Sequence, residues 1–178
     1  MPRVVLFQPQ IPPNTGNVAR TCAATNSELH LIEPLGFAID DRQLRRAGLD
    51  YWPLVRLHRH LDSNAFFEHR QRHGGRLIAL SSHATADYTA FAFDRDDWLL
   101  FGRESDGLPQ QLQQQAEHRL RIPLAKPGPH QSAGVRSLNL SVAVGVVLFE
   151  ALRQLNGSGA SPESSSISTR LLGFHLQT

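Results

Sequence analysis

Short apolar runs recur along this chain, and polar or helically periodic segments separate them. "RVVLFQ" (Arg3–Gln8), "LHLIE", "LVRLH", "RLIALSS", "DWLLFG" and "HRLRIPL" each have the length of a strand, carry aliphatic cores and are bounded by turn residues. After the first run, "PQIPPNTGN" reads as a Pro/Gly/Asn loop. Val18, Cys22 and Thr25 then recur at i, i+4 and i+7, which predicts a helix from about Asn17 to Thr25. "DDRQLRRAGL" predicts a short helix with acids in its first turn, as the helix dipole prefers, and with Arg42, Arg45 and Arg46 on one face. "DSNAFFEHRQRH" predicts a helix capped by Asp62 or Ser63, and another follows Pro109. Strands alternating with helices mean parallel βα units in a covered sheet, hence an α/β fold.

The last helix, predicted from Ser137 or Leu138 to Leu155, is apolar on more than one side. Leu140, Val144, Val147, Leu148, Ala151 and Leu155 form one stripe, while Val142 and Val146 lie off it. Such a helix is buried on more than one side, against the sheet and against a partner subunit. Beyond it "NGSGASPESSSIST" has no periodicity, so the chain divides into one domain over 1–156 and a Gly/Ser-rich tail over 157–178.

Composition narrows the class only a little. The 178 residues carry a formal net charge of +2 with 40% hydrophobic residues, an ordinary globular balance with room for a core. Among the basic residues only Lys126 is lysine. Arginine forks suit phosphates and bases, so this leans towards nucleic acid, although a GC-rich genome gives the same bias. No signal pattern precedes "VVLF" and no apolar run approaches the ~20 residues of a membrane span. The lone Cys22 fits a reducing compartment, so a cytoplasmic protein is expected, with no membrane contact. Neither GxGxxG nor GxxxxGK[ST] occurs. Cys22 lies in a helical apolar stripe, as a core thiol does. His58 and His60 sit two apart with no third ligand near them in sequence, so no metal site is expected.

Three loop-rich segments remain. In "PPNTGNVART", Asn14, Asn17 and Arg20 recur every three residues at the start of a helix. In "LLFGRESDGLP" a buried strand gives way to two glycines and three charges. In "IPLAKPGPHQSAGVRSLNLS" a strand gives way to a Gly/Pro loop entering the last helix, with Ser137 or Asn139 as its cap. Turns and caps are the favoured account of each segment taken singly, with a ligand loop as the alternative.

Taken together and in order, these segments resemble the three motifs of the SPOUT superfamily of RNA methyltransferases. "IPPNTGN", "IEPLGF", "RRAGLDY" and "SLNLS" are more closely similar to the tRNA (cytidine/uridine-34) 2′-O-methyltransferase family, and the likeness runs from Arg3 to about Leu155. The resemblance implies the α/β-knot fold: a mostly parallel sheet flanked by helices, with a C-terminal deep trefoil knot, in an obligate homodimer. It implies S-adenosylmethionine as methyl donor without a metal, and tRNA as partner. Carried over by position, the cofactor contacts are Leu80, Gly102, Ile122 and Ser137, and the catalytic set is Arg20, Asn17, Glu104 and Asn139. Gly102 and Gly107 would let the backbone approach the cofactor closely. Three features depart from the family pattern: a longer "AKPGPHQSAGV" loop, Phe149 in place of tyrosine, and Val142 in place of asparagine. Ribose methylation at another tRNA or rRNA position, and a silent RNA-binding knot protein, are the alternative readings. The chain leaves no room before Asn14 for the added RNA-binding domain that enzymes of the first kind often carry.

Overall fold

A computed structural model describes residues 1–37, 52–125 and 134–157. Among these, seven strands form a single parallel sheet: β1 (Arg3–Phe7), β2 (Glu28–Ile32), β3 (Arg56–His60), β4 (Leu77–Leu80), β5 (Ala86–Asp87), β6 (Trp98–Phe101) and β7 (His118–Arg121), in the order β3-β2-β1-β6-β4-β7-β5. β1 lies near the centre, with Leu6 opposite Leu31 of β2 on one side and Phe101 of β6 on the other. Among the described residues four α-helices accompany the sheet: α1 (Pro12–Thr25), α2 (Ser63–His73), α3 (Gln110–Gln115) and α4 (Leu140–Gly157).

Of the central strands, β4 and β6 are apolar at every position and β1 at every position after Arg3, because both faces are covered. Val4, Leu6, Leu29, Leu31 and Leu99 pack with Val18, Ala19 and Cys22 of α1 and with Val144, Val147, Leu148 and Ala151 of α4. Val5, Phe7, Leu77, Ala79, Trp98 and Leu100 pack on the opposite side with Phe66 of α2 and Leu112 of α3. Alternate residues of each strand thus feed two separate cores, as the pleat requires.

Several boundaries differ from the sequence expectation, each for a local reason. α1 begins at Pro12 rather than Asn17, with prolines in its first turn. The first turn leaves its N–H groups without intrahelical partners, so proline loses nothing there, and the apparent Pro/Asn/Gly loop is helix. β3 covers Arg56–His60 rather than Leu54–His58, because Trp52–Leu54 forms a short 3-10 turn. α4 begins at Leu140, capped by Asn139, whose Oδ1 accepts from the Ser141 N–H at 2.9 Å. Asp62 caps α2, accepting from the Ala65 N–H at 2.8 Å. The two-residue edge strand β5 carries no apolar run and escaped the pattern. The "DDRQLRRAGL" helix with Arg42, Arg45 and Arg46, most of the "AKPGPHQSAGV" loop and the tail beyond Gly157 lie outside the described residues. α4 is long and apolar enough to cross a membrane by length and composition, yet its main stripe is the core of this domain.

Candidate active site

The carboxyl ends of β4, β6 and β7 open into a cleft of about 640 Å³. That is the position, and within the roughly 300–1,000 Å³ range, of small-molecule sites in parallel α/β folds. Leu80, Gly102, Ile122 and Ser137 all line it, and so do Glu104 and Asn139. The segments that carry them are far apart in sequence, and the strand order β6-β4-β7 is what gathers their loops. Asn17 and Arg20 lie outside this lining, on the exposed side of α1.

The β6 loop is held by its own backbone. The Arg103 N–H donates to the Gly107 carbonyl at 3.1 Å and the Gly107 N–H donates back at 3.0 Å, closing a ring around Glu104, Ser105 and Asp106. A Cβ on Gly102 would stand 2.2 Å from the Gly107 carbonyl carbon and 2.3 Å from the Leu108 nitrogen. Gly107 has φ +75° with open space around it. The loop's own backbone requires both glycines, whatever approach they also allow to a cofactor: Gly102 makes room for the loop itself, and Gly107 supplies a left-handed turn. Arg103 pairs with Asp106 through Nε at 2.7 Å and reaches the Gln8 amide oxygen at 2.8 Å. The Arg103 guanidinium, seconded by the Ser105 hydroxyl, holds the Asp106 carboxyl below the usual carboxylate range.

Glu104 clasps the start of α1. Its Oε2 accepts from the Gln10 N–H at 2.8 Å, and its Oε1 accepts from the Ile11 N–H at 3.2 Å and the Asn14 amide at 3.1 Å. Ile11 offers the helix no side-chain cap, so a carboxylate from a distant loop satisfies those donors and complements the positive end of the helix dipole. Asn14 then accepts from the Asn139 side chain at 2.9 Å, tying α1 to the entry of α4. Residues 10–14, 104 and 139 are thereby locked into one hydrogen-bonded unit. Asn14 was noted in sequence only as the first of a triplet with Asn17 and Arg20. In space the triplet divides: Asn14 is buried and joins the unit, while the other two face outward. A step of three leaves each residue about 60° behind the last, so Asn14 and Arg20 stand roughly 120° apart on the helix.

Cys22 is fully buried, and burial pushes its thiol up to about 12, as expected for a core position. The histidines differ from expectation. The spacing of His58 and His60 offers no third ligand in sequence, but the parallel register places His30 opposite His58, and α2 brings the His69 ring centre to 5.6 Å from that of His58. Neighbouring strands in a sheet bring together residues that no sequence spacing relates.

The SpoU rRNA Methylase family matches residues 1–149. A relative from Escherichia coli K12, named tRNA (cytidine(34)-2'-O)-methyltransferase, is 46% identical over 162 residues, covering 90% of this chain and 98% of that protein. A solved structure described as "Structural insights into the 2-OH methylation of C/U34 on tRNA" superposes with a TM-score of 0.79 at 50% identity, covering 88% of this chain and 97% of the other. An AdoMet-bound rRNA methyltransferase from Sinorhizobium meliloti superposes with a TM-score of 0.72 at 27% identity, over 86% of this chain and 56% of that one.

Proposed function

Because the chain belongs to the SpoU rRNA Methylase family, we propose that it methylates the ribose 2′-hydroxyl of the wobble nucleotide, position 34, in tRNA, with S-adenosylmethionine as donor. The observation that carries this reading is similarity at 46% and 50% identity, over 90% and 88% of this chain, to proteins described by that activity. The cleft is suited to the cofactor: it has the volume of a small-molecule site, and Leu80, Ile122 and Leu138 offer apolar walls beside the polar Ser137. When bound, S-adenosylmethionine supplies an already activated methyl group, so the protein's task is mainly placement.

In this reading Arg20 grips a substrate phosphate and stabilises the oxyanion developing on the ribose, with Asn17 beside it one turn earlier on the outer side of α1. A guanidinium keeps its proton and so does not serve as the base. A carboxylate, a water or the substrate phosphate takes the proton. Glu104 already accepts three hydrogen bonds from Gln10, Ile11 and Asn14, and so fits a positioning role with Asn139.

The reading includes a cytoplasmic homodimer, the trefoil knot, and a division into residues 1–156 and a tail over 157–178. Val142 and Phe149, half-exposed at 50% and 57%, stand two turns apart on the outer side of α4 and form an apolar strip suited to a second copy. Incubating the purified protein with labelled S-adenosylmethionine and total tRNA tests the proposal. Label is expected in a 2′-O-methylated nucleoside and not in any methylated base. Arg20→Ala is expected to abolish transfer while binding the cofactor normally, and an active Arg20→Ala enzyme would remove Arg20 from the mechanism.

A further inference from the structure

Five of the chain's nine histidines meet at one side of the sheet, away from the cleft. His30 of β2 is fully buried, and its ring lies parallel to that of His58 on β3, 4.4 Å away. His69 of α2 leans over both, its ring tilted by 54° to His30 and 47° to His58. From this geometry we propose that His30, His58 and His69 form a binding site for a borderline divalent transition ion of the zinc class.

One ring nitrogen from each of the three lies within 4.8 Å of the others. In a tetrahedral zinc site, with Zn–N near 2.0–2.1 Å, ligand nitrogens stand about 3.3 Å apart. The gap closes by side-chain rotation alone, because His58 and His69 are only partly buried while packing holds His30 in place. An ion lies in the plane of each imidazole that binds it, so ligation turns His58 out of its stack on His30. That half-exposed side also gives the ion its way in, and leaves a fourth position for water.

The surroundings supply what a ligating histidine needs. His30 Nδ1 is 3.0 Å from His60 Nε2, so donating Nδ1–H to His60 leaves the lone pair on Nε2, where an ion would take the place of the contact with Glu28. That Nε2 faces Glu28 Oε2 at 3.4 Å, a carboxylate that offsets the charge of an ion. Packing alone explains a buried aromatic ring, but it does not explain why polar rings are gathered here nitrogen to nitrogen.

Cobalt(II) titration of the full chain tests the site. One equivalent is expected to produce the intense visible absorption of tetrahedral cobalt and to quench Trp98, whose ring centre is 4.9 Å from His30 and 6.0 Å from His69. Zinc is expected to displace the cobalt and raise the melting temperature by mass action. Loss of an outer partner typically costs 10- to 100-fold in affinity, so His60→Gln is expected in that range, and His58→Gln and His69→Gln beyond about 100-fold. Circular dichroism establishes whether each variant is folded. Either ligand variant binding as tightly as the parent would overturn the proposal. So would a wild-type titration giving no tetrahedral absorption, or only weak octahedral cobalt, whatever the variants do.

Discussion

Replacing Gly102 by alanine is expected to damage the protein more than the same change at Gly107, although both glycines belong to one loop. The added Cβ at position 102 would lie 2.2 Å from the Gly107 carbonyl carbon, 2.3 Å from the Leu108 nitrogen and 2.7 Å from the Gly107 Cα. All three are backbone atoms, so no side chain can swing aside and the loop must open. Opening sacrifices the paired Arg103–Gly107 hydrogen bonds, worth about 1 kcal/mol each. It also uncovers part of Leu108, 7% exposed, for about 1 kcal/mol more. A total of about 3 kcal/mol lowers the melting temperature by roughly 6–12 °C in a chain of this size. At Gly107 the added methyl meets nothing, and only the positive φ is penalised, by about 1–2 kcal/mol. Residues 102–108 all line the cleft, so Gly102→Ala is also expected to lose affinity for S-adenosylmethionine and its demethylated product. Urea and thermal unfolding with isothermal titration measure both effects. A Gly102→Ala protein with parental stability, or a Gly107→Ala protein that is the worse of the two, would refute the reasoning.

Glu104→Gln keeps the size of the side chain but replaces an ionised acceptor of three donors. It is expected to cost about 2 kcal/mol in urea unfolding, and parental stability would show that the clasp on α1 is unimportant. Cys22 is fully buried and burial pushes its thiol up to about 12, so the folded protein presents no reactive thiolate to solvent. Disulfide reagents should therefore label the protein at its unfolding rate, and prompt labelling of the folded protein would contradict the burial. Phe149→Asp places a charge on the apolar strip of α4 and is expected to shift sedimentation from dimer to monomer; an unchanged dimer would place the interface elsewhere.

The sheet was largely legible in the sequence because a strand covered on both faces must be apolar where it is buried, as β4 and β6 are throughout and β1 is after Arg3. β5 was not, since two residues at an edge need no apolar pattern. The helix starts were harder. Proline and asparagine mean turn or first helical turn according to what caps them, and the group that caps α1 is Glu104, more than ninety positions away in sequence. The same holds for the cleft. Its glycines and its lining residues Leu80, Gly102, Ile122 and Ser137 could be nominated by resemblance, but the reason for Gly102 emerged only from its contact with Gly107. Asn14 and the histidine cluster depend on contacts between elements, and no spacing along the chain reports those.

The central claim is that this chain modifies the ribose of one nucleotide in tRNA. Nucleotide-resolution mapping of 2′-O-methylation in RNA from cells with and without the gene tests it most directly. Methylation at position 34 of one or more tRNAs is expected to disappear with the gene, return on complementation with the parent chain, and stay absent with Arg20→Ala. Position 34 fully methylated without the gene, with methylation lost at another tRNA or rRNA site instead, would contradict it.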